Sequence, residues 1–175
     1  KTFKKLIKIK KNYSNRFFIF NIGLGEKKTK KNIYYDKNNL QWANFNPEVN
    51  KIDYLKNNKK KIKCSLDTLD NFTKKNKKII HSKIDLLKID TEGFELEVLK
   101  GAEKTIKKIK PKYIQIEYNW HHLFKNINLY YFSKFLKDYN TYKILPFSKK
   151  LLKINTERPE HNYFNYSNIV FIRKK

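Results

Sequence analysis

The chain has 175 residues, the length of one domain, and carries 41 Lys and Arg against 16 Asp and Glu, a formal charge of +25. Leu, Ile, Val and Phe make up about 30% of it, whereas strongly charged disordered chains fall below roughly 20%, so a disordered chain is excluded. Cys64 is the only cysteine, which excludes an intramolecular disulfide framework and an all-cysteine zinc site, and no apolar run approaches the ~18 residues of a membrane helix.

The positive charge consists almost entirely of lysine, since the only arginines are Arg16, Arg158 and Arg173. Lys, Asn, Ile and Tyr fill over half of the chain, and all four have codons built wholly from A and T, so an AT-rich genome explains the lysines without a ligand. Proteins that read nucleic-acid grooves depend on the planar fork of arginine. We therefore expect no specific nucleic-acid partner, and keep a polyanion-binding protein as an alternative. The single cysteine and the lack of an apolar run of membrane length lead us to expect a cytoplasmic protein.

The predicted elements alternate between helices and strands. The first is a basic amphipathic helix over 1–13. The run IDLLKID at 84–90 is nearly continuous in apolar residues, as in a central parallel strand covered on both faces, and an apolar stripe predicts one helix from Gly93 to near Pro111. The polar segment 38–50 predicts a surface loop. The other predicted helices begin near Asp67 and cover 129–139, and the predicted strands are 16–22, 33–35, 62–66, 84–90, 112–118, 141–147 and 168–173. This order predicts an α/β fold with a largely parallel sheet.

Acidic side chains end two of the predicted strands. Asp90 closes one, with Glu92 just beyond it, and Glu117 closes the next. Ligands of open α/β sheets bind outside the carboxyl ends of the strands, so Asp90 and Glu117 would share one crevice. Carboxylates there could bind a substrate hydroxyl, act as a general base or hold a divalent cation, although we predict no metal. The alternative is that Glu92 or Glu95 caps the helix that begins at this point, where the helix dipole favours an acid.

The same region resembles a known family. The run KIDTEGFELEVLKGAEKTI at 88–106 is similar to the signature of the FkbM methyltransferases. Flanking segments agree with it: FIFNIGLGEK at 18–27, SLDTLDNF at 65–72 and KYIQIEYN at 112–119. The resemblance extends from about Phe18 to Arg173.

This resemblance implies a Rossmann-like class I fold and an S-adenosylmethionine-dependent enzyme that O-methylates a hydroxyl of a sugar, glycan or secondary metabolite. It implies Asp90, Glu92 and Glu117 as catalytic residues on the acceptor side. It further implies Asn21 and Gly23, at the end of an earlier strand, as cofactor-binding residues, although a plain strand end and turn would explain both.

The chain departs from the family in its glycines. Class I methyltransferases hold the cofactor with a glycine-rich loop after the first strand and an acid that ends the second. Here Gly23 and Gly25 are followed by Glu26 and two lysines, with no third glycine. We therefore expect residues 1–175 to form the C-terminal two-thirds of such a domain, with the N-terminal strands missing. The alternative is a degenerate, non-catalytic Rossmann-like binding module.

Two further features of the sequence could contact a substrate. His121 and His122 follow the strand that carries Glu117, and because adjacent residues point in different directions, at most one of them would face a substrate. Trp42 and Phe45 could form a platform for sugar stacking, although buried loop anchors are the more usual role of such residues.

Overall fold

The computed structural model describes residues 2–13, 17–77 and 83–175. The helices are α1 (Thr2–Lys10), α2 (Leu69–Lys75), α3 (Glu95–Lys100), α4 (Glu103–Ile109) and α5 (Leu129–Phe135). The strands are β1 (Gly23–Leu24), β2 (Thr29–Tyr35), β3 (Lys60–Asp67), β4 (Leu86–Ile89), β5 (Tyr113–Tyr118), β6 (Tyr139–Leu145), β7 (Lys150–Lys153) and β8 (Ser167–Arg173). No described helix is long and apolar enough to cross a membrane.

The α/β class is confirmed, but the expectation of a mostly parallel sheet is wrong. The larger sheet has the strand order β4-β5-β8-β6-β7, and β4 and β5 are its only parallel neighbours among the described residues. The turn 146–149 joins β6 to β7 as a hairpin, which requires antiparallel pairing. Strand β8 lies between β5 and β6 and runs antiparallel to both. Strand β7 was not predicted, because its KLLK sequence lacks the alternation of a half-buried strand.

A second, three-stranded sheet has the order β1-β3-β2. The predicted strand at 16–22 is wrong: residues 17–22 form no strand, and β1 begins only at Gly23. Arg16 lies outside the described residues. Phe18 and Phe20 are 46% and 41% exposed, because no described strand pairs with this segment to bury its aromatic side chains.

The apolar stripe after Gly93 is buried as predicted, with Leu99 and Ala102 fully inaccessible, but it belongs to two helices rather than one. The break between α3 and α4 lies at Gly101. A Cβ atom at Gly101 would lie 1.9 Å from the carbonyl oxygen of Gly25, so only glycine allows the two backbones to approach this closely.

Strand β4 lies at the edge of the five-stranded sheet as described, and not at its centre as predicted. Leu86 is accordingly 52% exposed, whereas Ile89 faces the core and is 3% exposed. The core itself lies between the sheet and the helices, where Ile114, Phe132 and Phe171 are fully buried. Because β4 and β5 are parallel, their carboxyl ends meet at one edge of the sheet, and this edge forms the candidate site.

Candidate active site

The turn that follows β4 brings an acidic side chain into the crevice through unusual backbone angles. Asp90 comes directly after the strand, Glu92 has φ +53° and Gly93 has φ +89°. A Cβ atom at Gly93 would lie 2.7 Å from the Cβ of His121, so this position requires glycine. A left-handed, non-glycine residue such as Glu92 is uncommon and persists only where its surroundings hold it.

Glu95, the first residue of α3, holds this turn in place. Its Oε1 accepts hydrogen bonds from the backbone N–H of Thr91 at 2.8 Å, the hydroxyl of Thr91 at 3.0 Å and the N–H of Gly93 at 3.3 Å. Its Oε2 lies 2.9 Å from Nε2 of His122, and both side chains are 1% exposed. Burial alone would raise the pKa of Glu95, but His122 and the backbone donors outweigh burial and lower it below its usual value.

On the neighbouring strand, an asparagine connects the acid of β5 to the turn that follows. The Oδ1 of Asn119 accepts from the backbone N–H of His121 at 2.9 Å and so caps the short 3₁₀ turn Trp120–Lys125. The Nδ2 of Asn119 donates to Oε2 of Glu117 at 3.3 Å. The position of Glu117 is thereby tied to that of the histidines.

The three acids predicted as catalytic residues do come together. Asp90, Glu92 and Glu117 each offer an oxygen within 4.8 Å of the others, in a pocket of about 470 Å³. This spacing suits a hard divalent cation, which prefers oxygen ligands. However, Nζ of Lys88 already lies 2.7 Å from Oδ2 of Asp90 and supplies positive charge there. A metal is therefore not needed to neutralise this acid.

The surroundings of the pocket shift the pKa values of several ionisable side chains that line it. Burial, followed by repulsion from the Glu117, Asp90 and Glu95 carboxylates, raises the pKa of Glu92 to about 8. Burial also raises the pKa of Glu117. Burial lowers the pKa of His121 to about 4, and its Nδ1 lies 3.2 Å from Oε2 of Glu92. At neutral pH the Glu92–His121 pair therefore holds one proton and carries no net charge.

Of the two adjacent histidines, only His121 lines the pocket, whereas His122 faces Glu95, as the prediction of at most one substrate-facing histidine requires. The two residues of the expected sugar-stacking platform also lie in different places. Trp42 lines the pocket, while Phe45 packs on Phe94 with the ring centroids 4.9 Å apart.

Several pocket residues gave no signal in the sequence. The indole N–H of Trp120 donates to the hydroxyl of Tyr54, which also lies 3.4 Å from Nε2 of His121. Tyr166, just before β8, lines the pocket as well. Tyr54 and Trp120 are 66 positions apart, and nothing short of the folded chain indicates that they meet.

The two cofactor-binding candidates lie elsewhere. Asn21 is exposed, and Gly23 packs against β3, where an added Cβ would lie 2.4 Å from Cδ2 of Leu66. Neither residue lines the pocket that contains Asp90. The close contact with Leu66 gives Gly23 a packing role.

The model of the methyltransferase FkbM domain matches residues 3–144. The chain belongs to the FkbM methyltransferase family. Among solved structures it is similar to an FkbM methyltransferase from Methylobacillus flagellatus KT, with 17% identity and a TM-score of 0.49. That match covers 97% of this chain and 32% of the other, so the chain spans about a third of the length of that protein. No curated protein matches the chain.

Proposed function

We propose that this FkbM domain takes part in S-adenosylmethionine-dependent O-methylation and that its crevice binds the acceptor, a hydroxyl of a sugar, glycan or secondary metabolite. The observation that carries this proposal is the convergence of Asp90, Glu92 and Glu117 beside His121 at the carboxyl ends of β4 and β5. Membership of a methyltransferase family supports the reaction type, and the carboxylates can accept hydrogen bonds from the hydroxyl groups of the substrate.

The residues of the crevice have separate roles in this proposal. Asp90 and Glu117 accept hydrogen bonds from the substrate and orient the reacting hydroxyl. The Glu92–His121 pair takes the hydroxyl proton: the O–H bond of the acceptor breaks, the proton moves to the pair, and the electron pair stays on the acceptor oxygen. Because the pair releases its own proton only near pH 8, its capacity as a base increases up to that pH.

The described residues fit the acceptor better than the cofactor. The family generally uses S-adenosylmethionine, which supplies an electrophilic methyl group on a positively charged sulfur. The carboxylates and aromatic rings of the pocket suit a positive charge. In contrast, Asn21 and Gly23 do not line this pocket, so the two residues expected to contact the cofactor are not part of it.

The test is transfer of a radiolabelled methyl group from S-adenosylmethionine to a panel of sugars and small polyols, between pH 6 and 9.5. We expect transfer whose rate rises with pH up to about 8, and a loss of roughly 100-fold or more in Glu92→Gln, the usual contribution of a general base. Glu103→Gln is the matched control, because Glu103 is an exposed glutamate on α4 that pairs with Lys107. Unchanged transfer in Glu92→Gln, or none in the parent chain, would contradict the proposal.

The position of Asn21 and Gly23, away from the pocket, favours a second candidate: a non-catalytic module that binds a glycan or small polyol. A thermal-shift series with S-adenosylhomocysteine separates the two. Dose-dependent stabilisation, about 2.7 kcal/mol at a hundredfold excess over Kd, supports the enzyme. A cooperative melt that the nucleoside does not shift, together with acceptor binding, supports the binding module.

A further inference from the structure

The pocket is acidic and aromatic in a chain that is otherwise strongly basic. Lys and Arg occupy 41 of the 175 positions, yet none of them lines the pocket. Its lining instead contains three carboxylates and four aromatic side chains, namely Trp42, Tyr54, Trp120 and Tyr166. Genome-wide pressure toward lysine affects the whole surface, so the absence of lysine from this lining points to a requirement particular to the pocket.

Three of the rings form a continuous wall. The centroids of Trp42 and Tyr54 are 5.1 Å apart with the planes at 71°, and those of Tyr54 and Trp120 are 6.1 Å apart at 76°. These are edge-to-face contacts, the preferred geometry of neighbouring aromatic rings. Tyr54 and Trp120 are nevertheless 40% and 37% exposed, so much of the wall remains open to a ligand.

Aromatic rings and carboxylates that line the same pocket attract organic cations. The face of a tryptophan or tyrosine ring binds an ammonium group through its negative quadrupole, and a nearby carboxylate adds a charge-assisted hydrogen bond. A phosphate or carboxylate ligand would instead meet Asp90 and Glu117 without a pocket-lining cation to offset the repulsion. The ammonium of Lys88, which lies beside the pocket, is already paired with Asp90.

We propose that the acceptor bound in this pocket carries a positively charged amine beside its hydroxyl groups, as an amino sugar or an amino alcohol does. This inference rests on the proposed function, since it names the chemical class of the acceptor. The amine lies against the wall of Trp42, Tyr54 and Trp120, and the hydroxyl groups face the carboxylates. Neutral polyols bind less tightly, and anionic ones are rejected.

The chain contains its own reporter for this site. Trp42 and Trp120 are its only tryptophans and both line the pocket, so a ligand-induced change in tryptophan fluorescence reports binding there. The probes are glucosamine, glucose and glucuronate, which share one ring and differ in charge. We expect glucosamine to bind at least tenfold more tightly than glucose, and glucuronate to bind more weakly than glucose. Equal affinity for glucosamine and glucose, or a preference for glucuronate, would overturn the proposal.

Two variants locate the effect. Glu117→Gln should weaken the binding of glucosamine several-fold more than that of glucose, and Glu103→Gln should alter neither. Trp120→Leu removes one face of the wall but keeps Trp42 as the reporter, so it provides the test if Glu117→Gln does not fold. A preference for glucosamine that survives in both Glu117→Gln and Trp120→Leu would contradict the assignment.

The positive charge that the pocket attracts could also be the sulfonium of the methyl donor. S-adenosylmethionine and S-adenosylhomocysteine differ by one methyl group and this charge, so their affinities provide the comparison. Tighter binding of S-adenosylmethionine, with no preference among the sugars, would assign the pocket to the donor and overturn the proposal. Methyl transfer to neutral or anionic acceptors as efficiently as to amines would overturn it while leaving the methyltransferase intact. Charge-ordered binding without any transfer would support the pocket's preference and contradict the enzymatic function.

Discussion

The acidic pocket should make the stability of the protein fall between pH 6.5 and 8. Burial and the surrounding carboxylates of Asp90, Glu95 and Glu117 raise the pKa of Glu92 to about 8, and burial lowers the pKa of its neighbour His121 to about 4. The folded protein therefore holds one proton on this pair throughout the interval from pH 4 to 8. That count does not depend on which of the two side chains carries the proton.

The unfolded chain titrates differently, and the difference sets the magnitude. Its glutamate loses a proton near pH 4.5 and its histidine near 6.5, so both states hold one proton between those values. Between pH 6.5 and 8 the folded state holds one proton and the unfolded state none. Stability falls with pH wherever the folded state holds more protons, by about 1.4 kcal/mol per unit. Over one and a half units the expected loss is about 2 kcal/mol, a large share of the 5–15 kcal/mol typical of a domain.

Glu92→Gln should reverse this dependence. The variant retains His121, whose pKa is lowered mainly by burial, so its folded state holds fewer protons than the unfolded chain between pH 4 and 6.5. Its stability should therefore rise with pH over that range and then level off. His122, the hydroxyl of Tyr54 and, through Asp90, the ammonium of Lys88 also act on the pair, and all three remain in the variant.

The assay is urea unfolding, followed by circular dichroism at half-unit steps from pH 4.5 to 9, with Glu103→Gln as the exposed-glutamate control. The control should follow the parent chain at every pH. Parallel pH profiles for the parent and Glu92→Gln would refute the reasoning, as would a parent chain whose stability does not change between pH 6.5 and 8.

Three other predictions can be tested by urea unfolding of single variants. Glu95→Ala leaves His122 and the donors of the site turn buried without their partner, so we expect a loss of about 3 kcal/mol or more; a loss below 1 kcal/mol would contradict the role given to Glu95. Gly101→Ala places a Cβ atom 1.9 Å from the carbonyl oxygen of Gly25, so the α3–α4 corner must move and we expect a loss above ~2 kcal/mol; a neutral effect would show that the two backbones are not in contact. Asp67 has a pKa lowered to about 2 by hydrogen bonds from Asn71, Lys75 and the backbone of Thr68, so its contribution, present above about pH 4, is lost as the pH falls toward 2; the stability gap between the parent and Asp67→Asn should close over that range.

The elements that could be predicted from the sequence are those in which the spacing of apolar residues matches the buried face. The segment KYIQIEY alternates between inward and outward residues, and in β5 Ile114 and Ile116 are fully buried. The apolar stripe through Leu99 and Ala102 is buried for the same reason, although periodicity cannot show a corner. The break at Gly101 depends on the backbone of Gly25, 76 positions away, and no local pattern contains that contact.

The candidate site shows the same limit. Asp90 and Glu117 could be placed together because parallel strands end at one edge, and β4 and β5 do pair in parallel. The direction of β8 could not be predicted from the sequence, since it depends on the path by which the chain re-enters the sheet between β5 and β6. The sequence indicates Glu95, the residue that holds the turn, only as a possible helix cap, because its partner His122 is contributed by another strand and turn.

The lining of the pocket differs in composition from the rest of the lysine-rich chain. Lysine spread evenly along the chain favours mutational drift over binding, and that interpretation treats the charge as having no ligand. Mutational drift, however, acts on every position that tolerates substitution. The lining of the pocket contains Asp90, Glu92 and Glu117 and no lysine, so selection has maintained its composition against that drift. Maintaining such a pocket has a cost in stability, since Glu92 adopts a left-handed backbone conformation and its pKa is raised to about 8. Strained backbone and strongly shifted pKa values are concentrated at functional sites. Both occur at Glu92, and they favour a function at the crevice.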